Sequence, residues 1–208
     1  LACHGLPGYC LIETTLDFIC ELADEKGHPL TKMKYAQFRM PTDQRVLQLI
    51  RGGEHETCEL NSTLRTNLHT GTPDRVIEHA ALKTLAALLN KRGGSLLIGV
   101  EDDGTALGLA EDKFPNTDKL ILHFTNLIRI TIPDALDLIR FTVVPAEGRE
   151  VLLIDCKRGK QPIHLKNRDT KDDEFYVRRG PSTDRLGIRE AFAYIQRNFP
   201  DDDPAANA

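Results

Sequence analysis

The 208-residue sequence predicts an α+β fold, a mixed β-sheet flanked by helices, with a short helical segment at the N-terminus. Three observations predict it. Strand-like and helix-like patterns alternate along residues 57–199, the signature of one layered domain. The run Ser95–Val100 is continuously apolar, as a strand buried on both faces must be. Two apolar runs, Ile139–Val144 and Val151–Cys156, flank Ala146-Glu147-Gly148, a turn that sets them side by side. A composition of 40% hydrophobic and 28% charged residues supports an ordinary buried core.

The elements follow in order. Residues 1–49 read as a helical segment or a fragment of a neighbouring domain. Thr14 or Thr15 caps a helix carrying Leu16, Ile19, Cys20 and Ala23, Gly27 ends it, and His28-Pro29 turns the chain. Pro41-Thr42-Asp43 opens a second helix with Val46, Leu47 and Ile50 inward, closed by Gly52-Gly53. The main domain spans 50–199. Thr57–Asn61 is a short strand. Asp74 caps a long helix with Ile77, Ala81, Leu85, Leu88 and Leu89 on its apolar face, and Gly93-Gly94 terminates it. Gly104 turns the chain from the buried strand into another, Ala106–Leu109, as a hairpin. Asn116 or Thr117 caps a helix with Leu120, Ile121, Phe124, Leu127 and Ile128 inside. Phe175–Arg178 is a strand, and Asp184 caps a last helix with Ile188, Phe192 and Ile195 inside. Residues 200–208 read as a disordered acidic tail.

Several function classes are disfavoured. The net charge of −4 gives no bulk support for nucleic-acid binding, so any such site needs a local basic patch. The five cysteines are odd in number and widely spaced, without a C-x-x-C pair. They read as reduced thiols of a cytoplasmic protein, not as a disulfide frame or a zinc site. No two of the seven histidines have zinc-helix spacing. No run approaches the ~20 apolar residues of a membrane span, and the N-terminus is no signal peptide. Lacking an initial Met, the chain reads as an excised fragment. Gly93–Gly99 does not continue into the Lys-Ser/Thr of a P-loop, and Gly94-Ser95 is not a nucleophile elbow.

Three stretches carry a family resemblance. They are Gly53-Glu54-His55-Glu56-Thr57-Cys58-Glu59-Leu60-Asn61; then Leu82–Asn90 followed by Gly93-Gly94 and Leu97-Ile98-Gly99-Val100-Glu101-Asp102-Asp103-Gly104; then Phe175-Tyr176-Val177-Arg178-Arg179-Gly180-Pro181-Ser182-Thr183. In this order they resemble the Schlafen AlbA-2 domain over about residues 50–199. The resemblance implies nucleic-acid binding, with RNA favoured and DNA an alternative. In some Schlafen proteins three acids make a metal-dependent RNase acting on structured RNA such as tRNA. Carried over, those acids are Glu54, Glu59 and Asp102, which would hold Mg²⁺ or Mn²⁺ and activate water. The alternatives are a non-catalytic DNA- or RNA-binding module of a larger protein and an ATP-binding regulatory domain. Schlafen cores pair two related lobes, so a homodimer could form a basic cradle.

Period-two alternation puts Thr57, Glu59 and Asn61 on one strand face. Glu54, five positions from Glu59, reaches that face only if the Gly52-Gly53 corner bends. The acids after Val100 also suit a plain turn. Asn61 stands where the family has Lys, which removes a cation beside the acids. Cations crowd the C-terminal third. Arg178 and Arg179 beside Ser182 and Thr183 offer guanidinium forks and hydroxyls to a phosphate, with one arginine on the binding face. Lys166 and Arg65 are further phosphate candidates, and Lys83 and Lys91 on the long helix are weaker ones.

Overall fold

The computed structural model describes residues 42–200 together with the backbone of segments 9–14, 17–23 and 29–31. The chain divides into two units, Leu1–Pro41 and Thr42–Ala208. The expected acidic tail lies outside the described residues beyond Pro200.

The N-terminal unit is not helical in its described parts. It contains β1 (Tyr9–Thr14), β2 (Asp17–Ala23) and β3 (Pro29–Thr31), in an antiparallel sheet ordered β1-β2-β3. The helix expected through Leu16–Ala23 is therefore corrected to a strand, and Pro29 opens a strand rather than sitting in a turn. The physical reason lies in composition. Tyr9, Ile12, Thr14, Phe18 and Ile19 are aromatic or β-branched residues that favour pleated strands. Only two residues separate Thr14 from its partner Asp17, a hairpin spacing that rewards local pairing.

The second unit begins earlier than the expected boundary at 50. It runs α1 (Thr42–Gly52), β4 (Cys58–Asn61), β5 (Thr66–Asn67), β6 (Thr72–Pro73), α2 (Arg75–Asn90), β7 (Gly94–Ile98), α3 (Thr117–Thr131), β8 (Ile139–Ala146), β9 (Arg149–Cys156), β10 (Leu165–Lys166), β11 (Asp173–Arg179), β12 (Ser182–Leu186) and α4 (Ile188–Asn198). Short 3₁₀ helices cover Leu109–Asp112 and Pro133–Leu138. The main sheet is ordered β4-β7-β9-β8. β4 runs parallel to β7, and β9 is antiparallel to both β7 and β8, so the sheet is mixed. A separate antiparallel sheet joins β10, β11 and β12.

The expected buried strand sits at the centre of the main sheet. From Leu96 to Ile98 its side chains alternate between two cores, as period two requires, and the Gly99 corner (φ +93°) then turns Val100 to the same side as Leu97. Leu97 and Val100 join Val46 of α1 with Cys58, Leu60, Val151 and Leu153 on one side. Leu96 and Ile98 join α2 and α3 on the other, through Leu85, Leu88, Phe124 and Ile128. Helix α1 thus packs on the main domain. Its Arg45 grips Asp155 of β9 with two bonds, of 2.7 and 2.6 Å, and also donates to Ser95 Oγ at 2.9 Å. Burial alone would raise the Asp155 carboxyl, but the hydrogen bonds from Arg45 and Ser95 outweigh it, leaving that group below its ordinary range.

Both long helices start where their caps predict. The side chains of Asp74 and Asn116 accept from the amides of Val76 and Lys119 at 2.8 and 2.9 Å. At the end of α2, Gly93 (φ +77°) and Gly94 (φ +149°) let the chain pass against the carbonyl oxygens of Cys156 and Thr57, where a Cβ would clash. Asn90, fully buried, closes this junction. Its Nδ2 donates to the Ile163 and Tyr176 carbonyls at 2.8 and 3.0 Å, and its Oδ1 accepts from the Ile163 amide at 2.8 Å.

Two other expectations change. The hairpin partner Ala106–Leu109 contracts to one bridge, Val100↔Ala106, before the 3₁₀ turn. Glycines at 99, 104 and 108 allow close turns there but little strand. Asp184 is not a helix cap but lies in β12, opposite Val177. Helix α4 starts after Gly187, whose amide donates to Glu190 at 3.2 Å. That start leaves Ile188 and Phe192 exposed, while Ala191, Tyr194 and Ile195 pack on Phe175, Val177 and Leu186.

Replacing Asn90 with Ala strands buried groups at Ile163 and Tyr176. We expect a loss of about 3 kcal/mol in urea-induced unfolding, with an unchanged slope. A loss under about 1 kcal/mol would mean that the junction does not rely on these bonds.

Candidate functional site

The site is built at β4, an edge strand of the main sheet. Cys58 and Leu60 are buried toward α1, so Glu59 and Asn61 face the opposite side, that of α2. The chain reverses just before β4, with a bridge between His55 and Cys58. Gly53 at φ +67° supplies the corner that the sequence required. The bend carries Glu54 back along β4, where its Oε1 accepts from the Leu60 amide at 3.2 Å.

Arg178 organises this edge. It lies in β11, with its side chain fully buried. Its Nη1 donates to Glu59 Oε2 at 2.6 Å and to Thr183 Oγ1 at 3.0 Å. Its Nη2 donates to the His55 and Cys58 carbonyls at 2.8 and 3.4 Å. Its buried Nε finds no partner. Arg178 therefore cannot be the phosphate ligand expected of it, a correction with a plain cause. Phe175 and Val177 face the α4 cluster, while Tyr176 faces α2. Both faces of β11 are covered, and alternation turns Arg178 inward with Tyr176.

Burial pushes the Glu59 carboxyl up, Arg178 pulls it back, and the nearby Glu54 carboxylate raises it again, so it titrates above its ordinary value. Lys83 of α2 acts more weakly on Glu59 as a positive charge. Burial first, then Glu54 and Glu59, push the Cys58 thiol up to about 11, so it stays protonated at neutral pH.

Asp102 is exposed on the turn after β7. Gly104 of that turn packs toward Ile50 at the end of α1. Among the described residues no three His, Cys, Asp or Glu side chains gather into a group able to hold a metal ion. As placed, Glu54 and Glu59 are neighbours and Asp102 does not complete a Mg²⁺ or Mn²⁺ site with them.

The expected phosphate ligands separate into occupied and open groups. Arg179 is exposed at the β11–β12 turn, with Asp184 3.4 Å away. Ser182 is exposed and donates to Asp184 at 2.5 Å, while Thr183 is occupied by Arg178. Arg65 lies with its guanidinium 3.5 Å over the Phe114 ring and donates to the Asp112 carbonyl, so its role is packing. Lys166 is exposed on β10.

Sequence reasoning missed the acids that hold other cations. Buried Glu78 accepts from Arg168 at 2.6 Å and meets His123 at 2.7 Å. Buried Glu174 meets Arg185 at 3.1 Å and His79 at 3.2 Å, and accepts from Tyr176 Oη at 3.0 Å. Burial holds His79 below its ordinary value and, with Glu174, pushes the Tyr176 phenol up to about 12. The place of Glu78 on the otherwise apolar face of α2 was the available signal.

Among the described residues no helix is long and apolar enough to cross a membrane. The sequence profile of the family described as Schlafen, AlbA_2 matches residues 54–187. Among solved structures, the DIP2311 protein from Corynebacterium diphtheriae is similar at a TM-score of 0.50 and 16% identity, over 74% of this chain and 27% of that one. The chain thus spans about a quarter of that protein's length. The N-terminal domain of a RecG-related protein from Nitrosomonas europaea is similar at a TM-score of 0.44 and 18% identity, over 72% of this chain and 95% of that one. No curated protein matches the sequence.

The two adjacent arginines should behave oppositely. Arg178→Met leaves Glu59 uncompensated and should cost about 3–5 kcal/mol of unfolding free energy. Arg179→Ala should stay within about 0.5 kcal/mol of the parent. Equal effects in denaturant titrations would contradict the burial assigned to Arg178.

Proposed function

Because the chain belongs to the Schlafen AlbA_2 family, we propose that it is a nucleic-acid-binding domain, with RNA ahead of DNA as its ligand. The observation that carries this reading is the neutralisation of Glu59 by the buried Arg178. A paired carboxylate at the β4 edge repels a polyanion far less than a free one, while Lys166 and Arg179 remain exposed. Such cations bind the sugar–phosphate backbone without reading sequence. Binding is then dominated by counterion release and weakens steeply with salt.

A second reading, metal-dependent cleavage of RNA, is favoured by one observation: Glu54 bends back to accept from the Leu60 amide, next to Glu59 on β4. Two neighbouring carboxylates are part of what a hydrolytic cation needs. The exposed Asp102 would have to join them.

Both readings meet in one experiment. The purified chain is incubated with labelled tRNA, single-stranded DNA and duplex DNA, with Mn²⁺, Mg²⁺ or EDTA, beside Glu59→Gln and Asp102→Ala. The binding reading expects salt-sensitive complexes with RNA and intact nucleic acid in every metal condition. Cutting that needs Mn²⁺ or Mg²⁺ and disappears in both variants would establish the second reading instead. No complex at low salt with any probe would overturn the first.

A further inference from the structure

The C-terminal third looks uniformly basic in sequence, yet the fold divides its cations sharply. Arg168, Arg178 and Arg185 are held by Glu78, Glu59 and Glu174, and Arg179 lies beside Asp184. Another set is brought together at the end of α2. The Gly159 amide donates to the Leu89 carbonyl at 2.8 Å, tying the loop after β9 to the last turn of α2. Gly93 rests against the backbone of Cys156 and Arg158. Arg158 donates to the Asn198 carbonyl and covers the Phe199 ring, tying the same loop to the end of α4.

These contacts gather Lys91, Arg92, Lys157, Arg158, Lys160 and Arg197 at one end of the domain. All but Lys91 are exposed. Among the described residues one carboxylate, Glu56, lies within ion-pair reach of the group, 3.6 Å from Lys91 and 3.9 Å from Arg92. Six like charges gathered around a single carboxylate repel one another and weaken the compact state. In a chain of net charge −4 their concentration here is a local reversal of sign. Three of the six are arginines, whose planar forks match phosphate oxygens.

We propose that this basic end is the surface that holds the phosphate backbone of a nucleic acid. The inference rests on the nucleic-acid reading above and replaces the β11–β12 turn as the main contact. Glu56 lies three residues before Glu59. The cluster therefore adjoins the start of β4, whose Cys58 pairs with Ser95 just past the end of α2. Contact is through phosphates, so affinity is independent of base sequence.

The test is fluorescence anisotropy on the full chain, with a labelled hairpin RNA and a duplex DNA, across a salt series. Lys157→Ala/Lys160→Ala is compared with Lys119→Ala/Arg129→Ala on α3, all four side chains being exposed and outside the core. Each phosphate contact contributes ~0.9 to the slope of log affinity against log salt on duplex DNA. The first variant should lose about 2 from that slope and bind about tenfold more weakly at low salt. The second should keep the slope of the parent. A parent that binds while the first variant matches it overturns this surface and leaves the nucleic-acid reading standing. A parent that binds no nucleic acid overturns both. Polyaspartate displacing the RNA as well as unlabelled RNA does would assign the surface to acidic protein and also overturn the proposal.

Discussion

A charged guanidinium inside a protein is stable only where every neighbour is arranged to meet it. Arg178 has a carboxylate, a hydroxyl and two backbone carbonyls around it, contributed by β4, by the turn before it and by β12. The contact joins two sheets that share no backbone ladder. It fixes the edge strand, holds Glu59 in one orientation and anchors the reversed segment that returns Glu54 to β4. A buried pair of this kind contributes little net stability against a packed apolar alternative, yet breaking one side is costly. Its unpartnered Nε adds to the desolvation penalty. The arrangement constrains geometry more than it adds stability.

The same logic distributes charge over the rest of the domain. Buried Glu78 and Glu174 each gather an arginine and a histidine at the side of α2. Those cations are committed to internal partners. Cations that share one described carboxylate, Glu56, stand where α2, the loop after β9 and the end of α4 meet. That convergence follows from topology: α2 leads into the central strand β7, and β9 pairs with β7 in the opposite sense, so the end of β9 returns beside the end of α2. The Gly93-Gly94 pair makes the close approach sterically possible.

Much of this fold was legible in the sequence because local and tertiary preferences agree there. The cap at Asp74, the cap at Asn116 or its neighbour Thr117, the apolar run of β7 and the Glu147-Gly148 turn all point to the elements observed. The N-terminal segment misleads because Leu16, Ile19, Cys20 and Ala23 fit a helical face and Thr14 or Thr15 has the chemistry of a cap, although Thr14 pairs with Asp17 across the β1–β2 hairpin. The last helix misleads because Asp184 has the chemistry of a cap, although β12 pairs it across from Val177. At the site, the bend at Gly53 could be foreseen from the spacing of Glu54 and Glu59. The burial of Arg178 could not, because an arginine near a strand end ordinarily faces water. Only the second layer, α4 on the far face of β11, makes that strand interior. The basic end was invisible for a related reason, since its cations are distant in sequence and meet only through the pairing of β7 with β9.

The central claim is that Arg178 and Glu59 act as one unit that fixes the β4 edge. A double-mutant cycle measures this directly, with Arg178→Met, Glu59→Leu and the double variant compared in urea unfolding. The account predicts a favourable coupling of about 2–3 kcal/mol, so that the double variant is more stable than the sum of the single losses implies. Additive losses, with coupling near zero, would show that the two side chains do not depend on each other and would contradict it.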